Sequence, residues 1–165
     1  PMESVKKAAK IAKEAGVKVI LNPAPACPLD NTLLSTLYVI TPNESEAELL
    51  TDIPVTDFPS AEKAAFILLD RGVEVAIITM GIKGALIKTR ELTKIVSGFK
   101  VNAVDSTAAG DVFNGSLVVA MAEGKTLEET VQFANAAAAL SVTKLGAQPS
   151  APKRVEIERM LLKQA

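Results

Sequence analysis

The run "VEVAIITM", Val73 to Met80, constrains the fold more than any other stretch. It is nearly all apolar and short. A sheet with one wet face asks for alternation, whereas an unbroken apolar strand asks for cover on both faces, as in a parallel sheet flanked by helices. The segment before it, Ser60 to Arg71, places apolar residues at helical spacing and is closed by Gly72. The same pairing occurs earlier in the chain. A helical pattern from Glu3 to Ala15, ended by Gly16, leads into a strand at Val17 to Leu21, and "LYVIT" (Leu37 to Thr41) is a further strand, stopped by Pro42. Helices alternating with buried strands predict an α/β protein, a three-layer αβα unit with a mostly parallel sheet.

After Met80 the pattern changes. "ALIKT", "TKIVS" and "FKVNAV" read as short strands joined by turns, an antiparallel extension of the sheet. Helices are expected at Gly110 to Glu123, at Thr126 to about Lys144 and at Pro152 to Lys163. Asn43 with Glu46, and Thr126 with Glu129, have the spacing of capping boxes. Between the first two strands lies a loop rich in proline (Pro23, Pro25, Pro28). With 165 residues and no repeat or flexible linker, a single layered unit is the expectation. The opening helix has no strand before it, although a parallel sheet needs one there. The chain also starts Pro1-Met2-Glu3. Both features predict a piece of a longer or processed protein, with an apolar sheet edge or helix face left exposed.

Composition mainly excludes. Net charge is −1, which gives no footprint for nucleic acid. The absence of His removes Ser-His-Asp chemistry and His-metal sites. Cys27, the single Cys, forms neither an internal disulfide nor a zinc cluster and reads as an inert loop residue in a cytoplasmic protein. No apolar run approaches membrane-spanning length and no signal peptide opens the chain. The sequons at Asn43 and Asn114 are then chance matches. Neither a GxxxxGK[ST] loop nor a GxGxxG turn is present.

Chemistry concentrates in "VDSTAAGDVFNG", Val104 to Gly115. A strand-like run ends at Asp105, five small residues follow, and a helix begins near Gly110. Ligands of open α/β sheets sit at the carboxyl ends of strands. The N–H groups of Ala108, Ala109, Gly110 and Asp111 are the free donors expected of a first helical turn, where an anion is favoured. Gly110 is expected to supply whatever φ the corner requires. Asp111 is then placed to take a proton from an alcohol attacking a phosphoryl group. An Asp in a first turn is also favoured by the dipole alone, and small corners also serve packing, so the residues by themselves leave both readings open.

These residues carry a family resemblance. "DSTAAGDVFNG" closely resembles the D-T-x-A-A/G-G-D signature of the ribokinase-like sugar kinases. "ITPNESEAELL" resembles their N-x-x-E segment and "ITMGIKGAL" their nucleotide-loop strand, while "NPAPA" and "KLGAQPS" resemble the ribose-specific members. The motifs run in the right order and the resemblance covers essentially the whole chain. It implies that residues 1–165 are the C-terminal nucleotide-binding and catalytic portion of a ribokinase-like fold, truncated at the N-terminus. An upstream half with a glycine pair, sugar-reading residues and a small sheet lid is absent. The implied reaction moves the ATP γ-phosphoryl group to the 5-hydroxyl of D-ribose, giving ribose 5-phosphate.

The resemblance makes Asp111 the base that meets the substrate, and Ala108, Ala109 and Gly110 the anion hole. Asn43 and Glu46 organise Mg2+ and phosphate, largely through water. Thr79, Met80, Gly81, Ile82, Lys83 and Gly84 follow the ATP phosphates and ribose, and Asn135 lines the adenine pocket. A monovalent cation, usually K+, is implied beside Asp105, Thr107, Ser141, Lys144, Gly146 and Ser150, several through backbone carbonyls. Ser106 and Val112 stand where Thr is more usual, without altering a backbone donor. The implied partners are D-ribose and ATP, with no nucleic acid or membrane, and a homodimer when full length. Two alternatives stay open: a sibling kinase for another sugar, nucleoside or vitamin alcohol, and a non-catalytic nucleotide-binding module. The 165 residues alone are expected to bind ATP weakly and not to phosphorylate ribose at a useful rate.

Overall fold

Helix starts set much of the local structure. The computed structural model describes residues 1–163. In it, α1 (Met2–Glu14) ends at Gly16, whose φ of +72° suits glycine. Strands β1 (Ile20–Leu21) and β2 (Val39–Ile40) follow, separated by α2 (Asn31–Leu34). This helix is not expected from the sequence, where the prolines hide it. Its N-cap is Asp30, whose Oδ1 accepts from the Leu33 N–H at 2.9 Å, and it buries Leu33 and Leu34. Next comes α3 (Glu44–Thr51), with the expected capping box of Asn43 and Glu46. Then α4 (Phe58–Asp70) starts two residues earlier than its apolar pattern suggests. The reason is a second box: Asp57 accepts from Ser60 N at 2.8 Å, and Ser60 Oγ accepts from Asp57 N at 3.0 Å.

Strands β3 (Val75–Thr79), β4 (Gly84–Lys88) and β5 (Thr93–Ser97) complete a five-stranded sheet of order β1-β2-β3-β4-β5. The pairs β1–β2 and β2–β3 are parallel, with Leu21 against Ile40 and Ile40 against Ala76. The connections on either side of β4 are too short for a crossover, so its pairings are antiparallel and the sheet is mixed, flanked by helices. Val39, Ile40, Ala76, Ile77 and Ile78 are fully buried, as the unbroken apolar run requires.

The chain divides into two compact units where the sequence suggests one. The first holds Pro1–Met80 and Leu86–Ile95, around a core that includes Leu34, Leu37, Ile40, Leu68, Ile78, Met80 and Leu86. Each such side chain contributes about 1.5–3 kcal/mol on burial. Arg71 ties its loops together: Nε donates to Asn31 Oδ1 at 2.9 Å, and the guanidinium also reaches the carbonyls of Leu50 and Leu29. Among the described residues β1 pairs with β2 alone, Ile20 and Leu21 are half-buried, and Ile11 and Val17 are 56% and 59% exposed.

The second unit holds Gly81–Ala85 and the chain from Val96 onward. Its helices are α5 (Ala109–Ala122), α6 (Leu127–Ser141) and α7 (Arg154–Leu162), packed through Phe99, Ala120, Phe133, Ala136, Ala137 and Ile157. The alanines let α5 and α6 approach closely. Helix α6 ends at Ser141, not near Lys144. "FKVNAV" forms no strand, because the N–H groups of Val104 and Asp105 donate to Val142 O at 2.7 and 3.1 Å and so join the end of α6. No helix among the described residues is long and apolar enough to cross a membrane.

Candidate functional site

In the first unit the candidate residues gather at the carboxyl end of β3. Thr79 N donates to Pro42 O at 2.9 Å, and Asn43 and Thr79 form a parallel bridge. This sets the start of α3 beside the end of the central strand, where α/β sheets take ligands. Asn43 Oδ1 accepts from Glu46 N at 2.9 Å, and Glu46 Oε2 accepts from Asn43 N at 2.8 Å. Glu46 is 8% exposed, so its carboxylate is set by the helix start while one oxygen is taken up in the box. Met80 is 1% exposed, and its side chain belongs to the core.

In the second unit the corner differs from expectation in one telling way. The left-handed residue is Ala108, with φ +60° and ψ +13°, not Gly110. Gly110 lies inside the first turn of α5, and a Cβ added to it would meet nothing within 4 Å. Its glycine therefore serves space rather than torsion. Ala109 N is also not free, since it donates to Ser106 O at 3.2 Å. The N–H groups of Gly110 and Asp111 have no backbone acceptor among the described residues, as expected for a first turn. The Asp111 carboxylate is exposed beside them. Two donors, open room and a carboxylate thus share one helical turn.

Asp105 anchors this corner. Oδ1 accepts from Thr107 N at 2.9 Å and Oδ2 from Gly146 N at 2.8 Å. The Thr107 hydroxyl, then the Gly146 and Thr107 N–H groups, hold its carboxyl below the usual range. Of the residues assigned to a monovalent cation, the structure joins Asp105, Thr107 and Gly146 directly. Lys144 N donates to Ser141 O at 3.1 Å, Lys144 Nζ pairs with Glu156 at 3.3 Å, and Ser150 Oγ donates to Ala147 O at 2.7 Å. Among the described residues there is no group of three or more Cys, Asp or Glu placed to hold a metal.

Gly81–Lys83 forms a 3-10 turn, followed by Gly84 with φ +104°. A Cβ on Gly84 would lie 2.1 Å from Val96 O. A Cβ on Gly98 would lie 2.4 Å from Ile82 O, and Gly98 N donates to Lys83 O at 3.2 Å. Asn135 is 8% exposed, and its Nδ2 donates to Val96 O at 3.2 Å and Ser97 O at 3.3 Å. Its amide thus binds backbone. Gly98 escapes the sequence reading, although a glycine closing a strand pattern does signal close backbone approach.

Comparison with known proteins follows this geometry. The family profile described as pfkB family carbohydrate kinase matches residues 1–154. The ribokinase of Haemophilus influenzae is 52% identical over 156 residues, covering 94% of this chain and 51% of that protein. The ribokinase of Staphylococcus aureus is 40% identical over 161 residues, covering 97% and 53%. The solved structure of Arabidopsis thaliana ribokinase complexed with ribose and ATP superimposes with a TM-score of 0.93 at 35% identity, covering 98% of this chain and 53% of that one. The chain spans about half the length of the relatives it matches.

Proposed function

Since the chain belongs to the pfkB family of carbohydrate kinases, we propose that it is the ATP-handling and catalytic part of a kinase that phosphorylates the 5-hydroxyl of D-ribose. The observation that carries this reading is the first turn of α5. Gly110 and Asp111 offer unpartnered N–H groups, nothing fills the space over Gly110, and the Asp111 carboxylate stands exposed in the same turn. The two N–H groups bind the transferring phosphoryl group, where oriented donors stabilise developing charge. Asp111 takes the proton of the sugar hydroxyl as the new O–P bond forms. Ribokinases of two bacteria and the ribose- and ATP-bound plant enzyme support ribose and ATP as the substrates.

The donor set also fits the implied ions. Glu46, buried and with one oxygen held by Asn43 N, suits a hydrated Mg2+ reached through water. When bound, Mg2+ neutralises phosphate charge. Asp105 and the backbone at Thr107 and Gly146 would neighbour a K+ ion that steadies the corner.

The test is ADP release in the presence of D-ribose by the protein at its full cellular length. Asp111→Asn is expected to lower turnover by about 10²–10⁴-fold with ATP affinity kept. Unchanged turnover would refute the assignment. The 165-residue chain alone is expected to bind ATP weakly, without phosphorylating ribose at a useful rate. Vigorous ribose-dependent ADP release by it would overturn that part.

A further inference from the structure

We infer that Asn135 and Gly98 are positioning residues for the Gly81–Gly84 loop, holding it through the backbone of residues 96–98. The inference rests on the proposed nucleotide role of that loop and deepens it. Three layers meet here. Asn135, nine-tenths buried on α6, donates from Nδ2 to the carbonyls of Val96 and Ser97 at 3.2 and 3.3 Å. On the loop side the contact is so close that Gly84 admits no side chain: its Cβ would stand 2.1 Å from Val96 O and 2.4 Å from Gly98 N. Gly98 admits none either, with Ile82 O at 2.4 Å and Gly84 N at 2.9 Å from its Cβ. One hydrogen bond, Gly98 N to Lys83 O, closes the stack.

The physical point is that one strand of backbone touches both partners. The carbonyl of Val96 accepts from Asn135 and also abuts Gly84. Backbone packed on both sides has no slack, so a displacement on one side moves the other. Gly98 differs from Gly84 in that no left-handed torsion requires glycine there. Only the approach of the loop does. Asn135 lies 39 residues from Val96 in sequence, and it acts on the loop through two carbonyls and a glycine.

The test is amide hydrogen exchange, residue by residue, on the protein at its full cellular length. Asn135→Ala removes both donors to the 96–98 backbone. The Gly98 amide is then expected to exchange about tenfold faster, the effect of losing bonds of this kind. The amides of Leu117 and Ala120, inside α5, keep their rates. If all amides accelerate together, or if Gly98 does not change, the inference fails. Gly98→Ala perturbs the stack from the loop side with Asn135 in place. It is expected to speed exchange at Lys83 and Gly84 and to weaken MgATP binding about tenfold in a calorimetric titration. MgATP affinity unaltered by Gly98→Ala would overturn the functional half of the inference. Failure of the wild-type chain to take up MgATP would instead sink the nucleotide role of the loop, while the exchange result still decides whether Asn135 and Gly98 hold it.

Discussion

Replacing Ala108 by Gly should stabilise the protein, and replacing its neighbour Ala109 by Gly should not. Ala108 is held at φ +60°, ψ +13°, the left-handed region, at the N-cap of α5. An L-residue there costs about 1–2 kcal/mol, which glycine avoids. Alanine is also a poor N-cap and glycine a fair one, worth about 0.5 kcal/mol in the same direction. Against both stands the extra freedom of glycine in the unfolded chain, about 0.4–1 kcal/mol. The balance for Ala108→Gly is a gain of about 1 kcal/mol. Ala109 opens the helix itself, with no left-handed torsion to relieve, so Ala109→Gly loses about 0.5–1 kcal/mol. Urea unfolding measures both, read as midpoint shifts at constant slope. Two adjacent alanines giving shifts of opposite sign is the expected outcome. A loss of stability in Ala108→Gly, or shifts of the same sign, would refute the claim that the corner is strained at Ala108.

Other outcomes follow from the same geometry. Gly110→Ala meets no neighbour within 4 Å, so the helix should gain up to about 1 kcal/mol in a thermal melt while ribose-dependent ADP release by the full-length protein falls, because the methyl group takes the phosphoryl space. Leu34→Ala, at a fully buried position of the first unit, should cost about 2–5 kcal/mol by urea unfolding. Acid should destabilise through depressed carboxyls. Glu62 is held below its ordinary 4.5, first by Lys88 and then by Thr93. A carboxyl lowered in the folded state contributes stability above its unfolded value, and that contribution disappears as pH drops through the folded value. Stability should therefore decline below about pH 4.5, and Glu62→Gln should flatten the decline when unfolding is followed from pH 7 to pH 3.

Sequence showed those parts of the molecule that local chemistry determines. The box at Asn43 and Glu46 and the one at Thr126 and Glu129 formed at the expected residues, because such spacing satisfies two donors without outside help. Gly72 and Gly16 likewise mark helix ends that need positive φ. The start of α4 was not visible, since Ser60 does there what Glu or Gln usually does. The short α2 was hidden because Asp30 caps it inside a stretch whose prolines read as loop. "FKVNAV" alternates like a strand, yet its last donors go to Val142, a partner known only once α6 is in place. The candidate site divides along the same line. Asp111 and the room over Gly110 could be inferred from a first helical turn, whereas the clamp of Asn135 on residues 96–97 depends on a contact made across the chain, and the left-handed torsion falls on an alanine, a residue type that does not signal it.

The strands lie in the sheet in the order in which the chain is synthesised. Among these five strands none has to be threaded between two that are already paired, so each joins beside the one made before it as translation proceeds. At about 5–20 residues per second, the stretch from Ile40 to Val75 takes roughly 2–7 s to emerge. For that interval β2 is the growing edge, carrying Val39 and Ile40, which end fully buried beneath later residues. The time for which this edge stays open is thus a ribosomal time. A pause between the codons for Thr41 and Glu74 would lengthen it without altering one residue of the finished protein.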